Sequence, residues 1–437
     1  MPPEPRNADS KAVTLDDWLR RLEQMHPTEI ELGLDRIRSV WGRLPCSLGA
    51  CRVITIAGTN GKGSTATLTS ELLRAHGWHT GLYTSPHFLT FNERIVIDGT
   101  PVADANLIAA LERVDIARQG VSLTYFEFTT LAALCLFADA GLDAVVLEVG
   151  LGGRLDAVNI VDSDVAALTS IGLDHTDWLG DSLDAIAREK SGIARRGKPF
   201  LVGTDVSRSE VEKQADCIGA ILVPVVSPVM QGEQWMYSGQ VKQQWLPVPA
   251  LPVPSANMAL HIVECLGVTL DLATVNATLS SLTMPGRLQQ AMLGEEPAWL
   301  DVAHNPQAAG YVASHLKRQG RHWRIILGVL KDKDAFGIVQ SLASLVDGGS
   351  DATQGALEWH LVGLSDTSRG LSAEALLEAT WLSDSPGVHC HKTLADALTE
   401  LAATPSVPGR QTLICGSFHT VAEALKHEQL STHGFGN

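Results

Sequence analysis

A chain of 437 residues is too long for one ordinary hydrophobic core, so two domains are expected. With 45% hydrophobic and 19% charged residues the composition is that of a globular protein, and a formal net charge of -16 argues against a general nucleic-acid or anionic-membrane binder. The seven cysteines lack CxxC spacing, the polar, Pro-rich start MPPEPRNADSKAV has no apolar signal core, and no apolar run reaches the ~18 residues of a membrane span. These features suggest neither a zinc site nor a disulfide framework. They point to a cytoplasmic protein; it is expected to act as a monomer on small molecules, although the sequence itself does not give the oligomeric state.

Along the chain, short β-rich apolar runs alternate with helical patterns, which reads as α/β with a largely parallel sheet. Strands are predicted at 53–57, 81–84, 144–149 and 165–169, with helices at 65–76 and 129–140. The stretch 223–254 is rich in Pro, Gln and Trp and reads as irregular or antiparallel. A Pro-Gly turn signal at Met284-Pro285-Gly286-Arg287 marks the domain boundary. A second alternation follows, with strands predicted at 299–303, 324–329, 359–363 and 412–415.

The run GTNGKGS, from Gly58 to Ser64, misses the usual GxxxxGK[ST] spacing yet sits between a strand and a helix, as a phosphate-binding loop requires. Gly58, Gly61 and Gly63 let the backbone approach a phosphate, Lys62 adds a charge, and the helix presents its positive N-terminus. Ser64 or Thr65 is placed to reach a metal. The expected ligand is a nucleoside triphosphate, ATP. Glu148 closes an apolar strand, where an acid commonly holds Mg²⁺. Ser85 and His87, after another strand, and His175, after a third, should converge on the same sheet edge. Lys190 falls on an apolar helical stripe with Leu183, Ile186, Ala187, Ile193 and Ala194, so its ammonium must be paired, deprotonated or modified, or snorkel to the helix edge.

Together GTNGKGS, TSPHF, FNERI, YFEF, LEVGLGGRLDAVN, LDHTDWLG, EKSGI, MPGR, DVAHNPQAA and CGSFHTVAEAL closely resemble the dihydrofolate synthase/folylpolyglutamate synthase family of the Mur-ligase-like superfamily. The resemblance covers nearly the whole chain. It implies a P-loop-type ATPase domain at 1–284, a linker at 285–297 and a Rossmann-like α/β domain at 298–437. It also implies ATP-dependent addition of L-glutamate to dihydropteroate and reduced folates through an acyl phosphate, with closure of the two domains over the substrates. By motif, Thr59, Asn60, Gly61 and Lys62 would hold phosphates, and Ser85, Glu148 and His175 would hold Mg²⁺. Arg287 and Asp301 would meet ATP, with His304 and Ser417 nearer the glutamate. The pterin would lie near Ile30, Glu31, Leu32 and Gly33, near Thr124, Tyr125, Phe126 and Glu127, and near Leu155, Asp156 and Ala157. Phe126 offers a face for its ring and Glu127 an acceptor for its N–H groups. A lysine in the setting of Lys190 is carbamylated in the family and would act as a metal ligand. Where the family has a nucleotide-contacting asparagine, this chain has Ser255, with Asn257 two residues on; either can serve. A Mur-type ligase acting on a UDP-sugar peptide and a non-catalytic ATP-binding switch are the competing readings. The YFEF segment and the absence of an evident extra UDP-binding domain count against the first. A switch has no need of GSFH, DVAHN and the metal strand ends together.

Overall fold

A computed structural model describes residues 14–432 except 27, 29, 204, 205, 207, 240–242, 318, 321, 347–356, 366 and 368. The N-terminal stretch 1–13 lies outside the described residues. The first domain is built on β1 (Arg52–Ala57), β2 (Thr80–Tyr83), β3 (Ile95–Ile97), β4 (Thr100–Pro101), β5 (Ala144–Glu148), β6 (Val165–Leu168), β7 (Pro199–Val202) and β8 (Ile221–Pro224). They form one sheet in the order β4-β3-β2-β5-β1-β6-β7-β8, parallel from β2 to β8, with β3 and β4 antiparallel at one edge.

Both faces of this sheet are covered, which explains why its strands read as near-continuous apolar runs. On β1, Val53 and Ala57 face a core shared with Phe128 and Leu131 of the Tyr125–Ala140 helix, while Ile54 and Ile56 face Leu68 and Leu72 of the Lys62–Ala75 helix. Such a fully buried Leu or Ile contributes about 1.5–3 kcal/mol. The Lys62–Ala75 helix packs on the Val253–Cys265 helix. The stretch 223–254 holds β9 (Val229–Gln231), β10 (Gln234–Ser238) and β11 (Gln243–Pro247), an antiparallel sheet that buries Trp235 and Leu246 in the same core.

The second sheet comprises β12 (Gln289–Leu293), β13 (Glu296–Asp301), β14 (His322–Leu327), β15 (Leu357–Val362), β16 (Val388–His391), β17 (Arg410–Cys415) and β18 (Leu430–Thr432), in the order β16-β15-β14-β17-β13-β12-β18. It is parallel from β16 to β13. The expected linker, 285–297, needs correction, because β12 lies inside it and pairs antiparallel with β13. Gln289, Ala291 and Leu293 are buried in alternation with exposed Gln290, a period-two signal too short and too mixed in composition to read beforehand. The connecting segment is therefore 285–288. None of the seven cysteines, all among the described residues, is in a disulfide.

Candidate active site

In both sheets the C-terminal strand ends face one cleft of about 1250 Å³. From the first sheet, β2, β5, β1 and β6 lie side by side and deliver Ser85, Glu148, the loop after Ala57 and Thr169–Ser170. From the second, β13 delivers Asp301, and the turn after β17 delivers Ser417. Every candidate site residue named from the sequence lines this cleft.

The loop is held by its neighbours. Thr59 N–H donates to Ser170 O (2.9 Å), Asn60 N–H to Ser170 Oγ (2.9 Å), and Thr59 Oγ1 accepts from Gly172 N–H (2.9 Å). A side chain at Gly58 would put its Cβ 1.9 Å from Thr169 Oγ1, and Gly61 has φ +82° where it caps the helix; neither position admits a substitute without strain. The helix begins at Lys62, directly after the loop, so the backbone N–H groups of its first turn are free to meet an anion. Ser64 Oγ and Thr65 Oγ1 are buried without a hydrogen-bond partner. Buried hydroxyls are rarely left so, which fits a ligand or cation at this turn.

Lys62 Nζ donates to Gly58 O (3.0 Å) and Thr59 O (3.1 Å), and Lys190 Nζ donates to the same Gly58 O (3.0 Å). Lys190 is 5% exposed. Burial, with the Lys62 charge beside it, lowers its amine to about 7. Burial also lowers Lys62, opposed by Glu148. Glu148, 4% exposed, accepts from Ser85 N–H (3.0 Å), and burial raises its carboxyl while Lys62 pulls the other way. Glu148 also sits against Gly63, where a Cβ would come 3.4 Å from Oε2. His175 has left-handed backbone (φ 52°). Its ring is accessible at the cleft mouth, yet the cleft walls restrict its hydration; that desolvation, against the opposing pull of Asp174, lowers it to about 4. His87 accepts from Arg94 Nε (2.9 Å) rather than standing free as a ligand.

The second domain closes the cleft by direct bonds. Asn60 and Asn305 exchange amide hydrogen bonds (3.1 and 2.9 Å), and Asn60 also donates to Gln307 (2.9 Å). Asp174 accepts from Lys333 Nζ (2.6 Å) and lies 3.4 Å from His304 Nε2. Burial alone would raise the Asp174 carboxyl; the His304 hydrogen bond and the His175 and Lys333 charges hold it well below the usual range. Asp301 accepts from Leu288 and Ala303 N–H (both 2.9 Å), and Arg287 lies over the Phe418 ring, 5.0 Å from its centroid. Burial lowers the Arg287 guanidinium, with Asp301 opposing. Ser417 Oγ accepts from Thr420 N–H (3.0 Å), capping the Phe418–Leu425 helix.

At the other end, Phe126 stacks on Tyr83 at 5.8 Å and covers Gly150, where a Cβ would come within 2.8 Å of its ring. Tyr125 packs edge-on to Phe91. Ile30, Glu31, Leu32, Gly33, Leu155 and Ala157 line the same cleft. Asp156 accepts from Leu151 N–H (2.8 Å) and Val158 N–H (3.0 Å), and burial raises it to about 6. Glu127 lines the cleft with its carboxylate already held. Its Oε2 accepts from Thr124 N–H (2.8 Å) and its Oε1 from Arg36 (3.2 Å), so both oxygens are engaged in a capping box and an ion pair, and Arg36 in turn holds Glu31. The T-x-x-E spacing of Thr124 to Glu127 carried that signal. Ser255 Oγ is 3.5 Å from Gly61 O. Asn257 donates to Val226 O (2.8 Å), and its Oδ1 is buried without a partner. The residues missed were Asn305, Gln307 and Lys333; the first two lie in the DVAHNPQAA run and Asn305 caps the helix that starts at Pro306, but the contacts themselves reach partners over a hundred positions away, which no local pattern shows.

Residues 56–216 match the Mur ligase middle domain and residues 286–418 the Mur ligase glutamate ligase domain. Fold and site thus define an ATP-dependent ligase of the Mur type. The chain is 39% identical over 432 residues to the dihydrofolate synthase/folylpolyglutamate synthase of Escherichia coli, covering 95% of this chain and 96% of that one. It is 36% identical over 443 residues to the protein of the same name from Haemophilus influenzae, covering 95% and 98%. The Yersinia pestis bifunctional folylpolyglutamate synthase/dihydrofolate synthase complexed with AMPPNP and Mn ion superposes with a TM-score of 0.85 at 38% identity, over 97% of this chain and 99% of that one. Escherichia coli FolC in complex with DHPP and ADP gives 0.85 at 37%, over 95% and 97%. This chain belongs to the dihydrofolate synthase/folylpolyglutamate synthase family.

Proposed function

We propose that this cleft adds L-glutamate to dihydropteroate, forming dihydrofolate, and to reduced folates, forming folylpolyglutamates, with ATP activating the acceptor as an acyl phosphate. The observation that carries the reading is the meeting, in one cleft, of a phosphate-type loop, a buried acid beside it, an aromatic pocket and contributions from a second domain. The relatives' names give the acceptor and the amino acid, and the solved relatives with AMPPNP, ADP and Mn support nucleotide and divalent-cation binding.

In this reading a carboxylate oxygen of the acceptor attacks the γ-phosphorus of ATP, and ADP leaves. The glutamate α-amine then attacks the acyl carbon, loses a proton, and phosphate departs with one of the former carboxylate oxygens. The protein's task is to bring anions together and keep water out. Thr59, Asn60, Gly61, Gly63 and Lys62 hold phosphates, with Lys62 exchanging its loop carbonyls for phosphate oxygens. Arg287, Asp301 and Ser255 or Asn257 bind the rest of ATP. His304 and Ser417 face the incoming glutamate. Phe126 and the residues around it form the pterin pocket, with the Glu127 carboxylate ordering that wall through Arg36 and Thr124.

The donor set fits Mg²⁺: a buried carboxylate at Glu148, an unpartnered hydroxyl at Ser64, and Ser85 and His175. Mg²⁺ supplies neutralisation of phosphate charge. Lys190 is suited to carbamylation, because an amine lowered to about 7 is substantially neutral near pH 7 and can attack carbon dioxide, releasing a proton and leaving a carboxylate. That anion would replace two crowded cations at Gly58 O with a pair of opposite charge and would serve a second cation. Mass spectrometry of products formed from ATP, L-glutamate and either dihydropteroate or a reduced folate tests the assignment. Adducts one or more glutamyl residues heavier support it; a product only with a UDP-sugar peptide, or none with any acceptor, would refute it.

A further inference from the structure

The second domain carries a polar cluster that the ligase reaction leaves unused. β15 places Glu358 and His360 two residues apart, hence on one face of the sheet, and β16 runs parallel beside it with His389 opposite His360. β16 is the outermost strand on that side. The cluster therefore has an open rim and a sealed inner member: the His389 side chain is 50% exposed, whereas His360 is 1% exposed. None of these residues lines the ligase cleft.

Glu358 divides its carboxylate between two duties. Oε2 faces Arg324 (3.5 Å) and Arg410 (3.6 Å), while Oε1 turns to the imidazoles, 3.1 Å from His360 Nε2 and 3.9 Å from His389 Nε2. The two rings stack, with centroids 4.8 Å apart. One nitrogen from each ring and one carboxylate oxygen lie within 4.8 Å of one another. His360 Nε2 is buried and has no hydrogen-bond partner, its approach to Glu358 falling outside hydrogen-bond geometry. Behind it, His360 Nδ1 lies 2.8 Å from His391 Nε2. In that bond one ring donates and the other accepts. With His360 Nδ1–H donating, Nε2 carries a lone pair directed at the space between Glu358 and His389. The arginine charges beside the cluster are offset by Glu296, which accepts from both.

We propose that Glu358, His360 and His389 bind one divalent transition-metal ion of the Zn²⁺ class, with His391 as a positioning residue that fixes the His360 tautomer. Two imidazoles and one carboxylate suit Zn²⁺ and disfavour Mg²⁺, which takes oxygen ligands. Zn–N bonds of about 2.0–2.1 Å put tetrahedral ligand atoms about 3.4 Å apart. His360 and Glu358 are already near that spacing, and half-exposed His389 supplies the remaining movement. The metal would pin the edge strand β16 to the sheet.

Calorimetric titration of Zn²⁺ into the full chain, in excess Mg²⁺ to direct Zn²⁺ away from the oxygen-rich ligase cleft, tests the site. The native chain should bind one equivalent, His389→Ala at least tenfold more weakly, and ligase turnover with Mg²⁺ alone should be the same in both. His389 is chosen because its exposure spares the core. X-ray absorption of the Zn²⁺ complex should show two imidazoles bound to the metal. Equal affinity in the two proteins, or no stoichiometric binding to the native chain, would overturn the proposal.

Discussion

Two lysine–carboxylate arrangements line the cleft, and they are built on opposite principles. Lys333 and Asp174 make a direct ion pair at 2.6 Å with side chains 7% and 10% exposed, joining the second domain to the first. Glu148 is buried and Lys62 half-buried beside it, but no ion pair joins them; Lys62 donates to loop carbonyls, and loss of hydration pushes both groups toward neutrality. Satisfied charge holds the domains together, whereas uncompensated charge is kept ready for a ligand. Lys190, sharing the Gly58 carbonyl with Lys62, belongs to the second kind.

The largest effect should come from the uncompensated side. Lys62→Ala should reduce ligase turnover by at least about a hundredfold, in line with the loss of one preorganised donor to a reacting anion. Its melting temperature should be nearly unchanged, since no ion pair is broken. Near-normal turnover would erase the distinction between the two arrangements. Lys190→Ala should cost about a hundredfold, the scale of losing a group that organises a metal site. A short-chain carboxylate such as acetate should restore part of the activity in steady-state assays. Loss without any rescue would argue that the amine, not a carbamate, is the working group.

The compensated side predicts a different signature. Lys333→Met leaves Asp174 buried without its cation, a change costing about 3–5 kcal/mol in a fully buried pair. Part of that cost can be relieved by domain opening, so kcat/KM should fall by about tenfold. Solution X-ray scattering should show a larger radius of gyration that ATP and pterin acid reduce. An unchanged radius in native and variant protein, with and without ligands, would break the clasp interpretation.

The smallest effect sharpens the account of Lys190. Its folded-state value of about 7 lies below the unfolded 10.5, so the unfolded chain binds more protons between those values. Stability therefore rises with pH across that window, and the destabilising contribution is fully present below pH 7. In CO2-free buffer Lys190→Met should melt a few degrees above the native protein near pH 7, with the difference shrinking toward pH 10. A constant difference across this range would show that the amine is not the source.

Much of this organisation was legible because it is local. A strand, a glycine turn and a helix start are contiguous in the run from Arg52 to Ala75, and the stripe that buries Lys190 has helical period. Ser85, Glu148 and His175 could be grouped without contacts because parallel strands deliver their ends to one edge. Illegible were the features made by long-range pairing. Asn60 meets Asn305 and Asp174 meets Lys333 only after two domains dock, and His360 meets His389 only because β15 and β16 are neighbours in register. Glu127 combines both kinds: its capping-box spacing from Thr124 is local and legible, whereas its ion pair with Arg36 is long-range and is not.

The central claim, that the cleft transfers phosphate to the acceptor carboxylate before glutamate is joined, has one direct test. Dihydropteroate labelled with ¹⁸O in its carboxylate is turned over with ATP and L-glutamate, and the released phosphate is weighed by mass spectrometry. The account predicts one ¹⁸O in the phosphate for each amide bond formed, because the carboxylate oxygen that attacks phosphorus leaves with it. Unlabelled phosphate accompanying labelled dihydrofolate would contradict it.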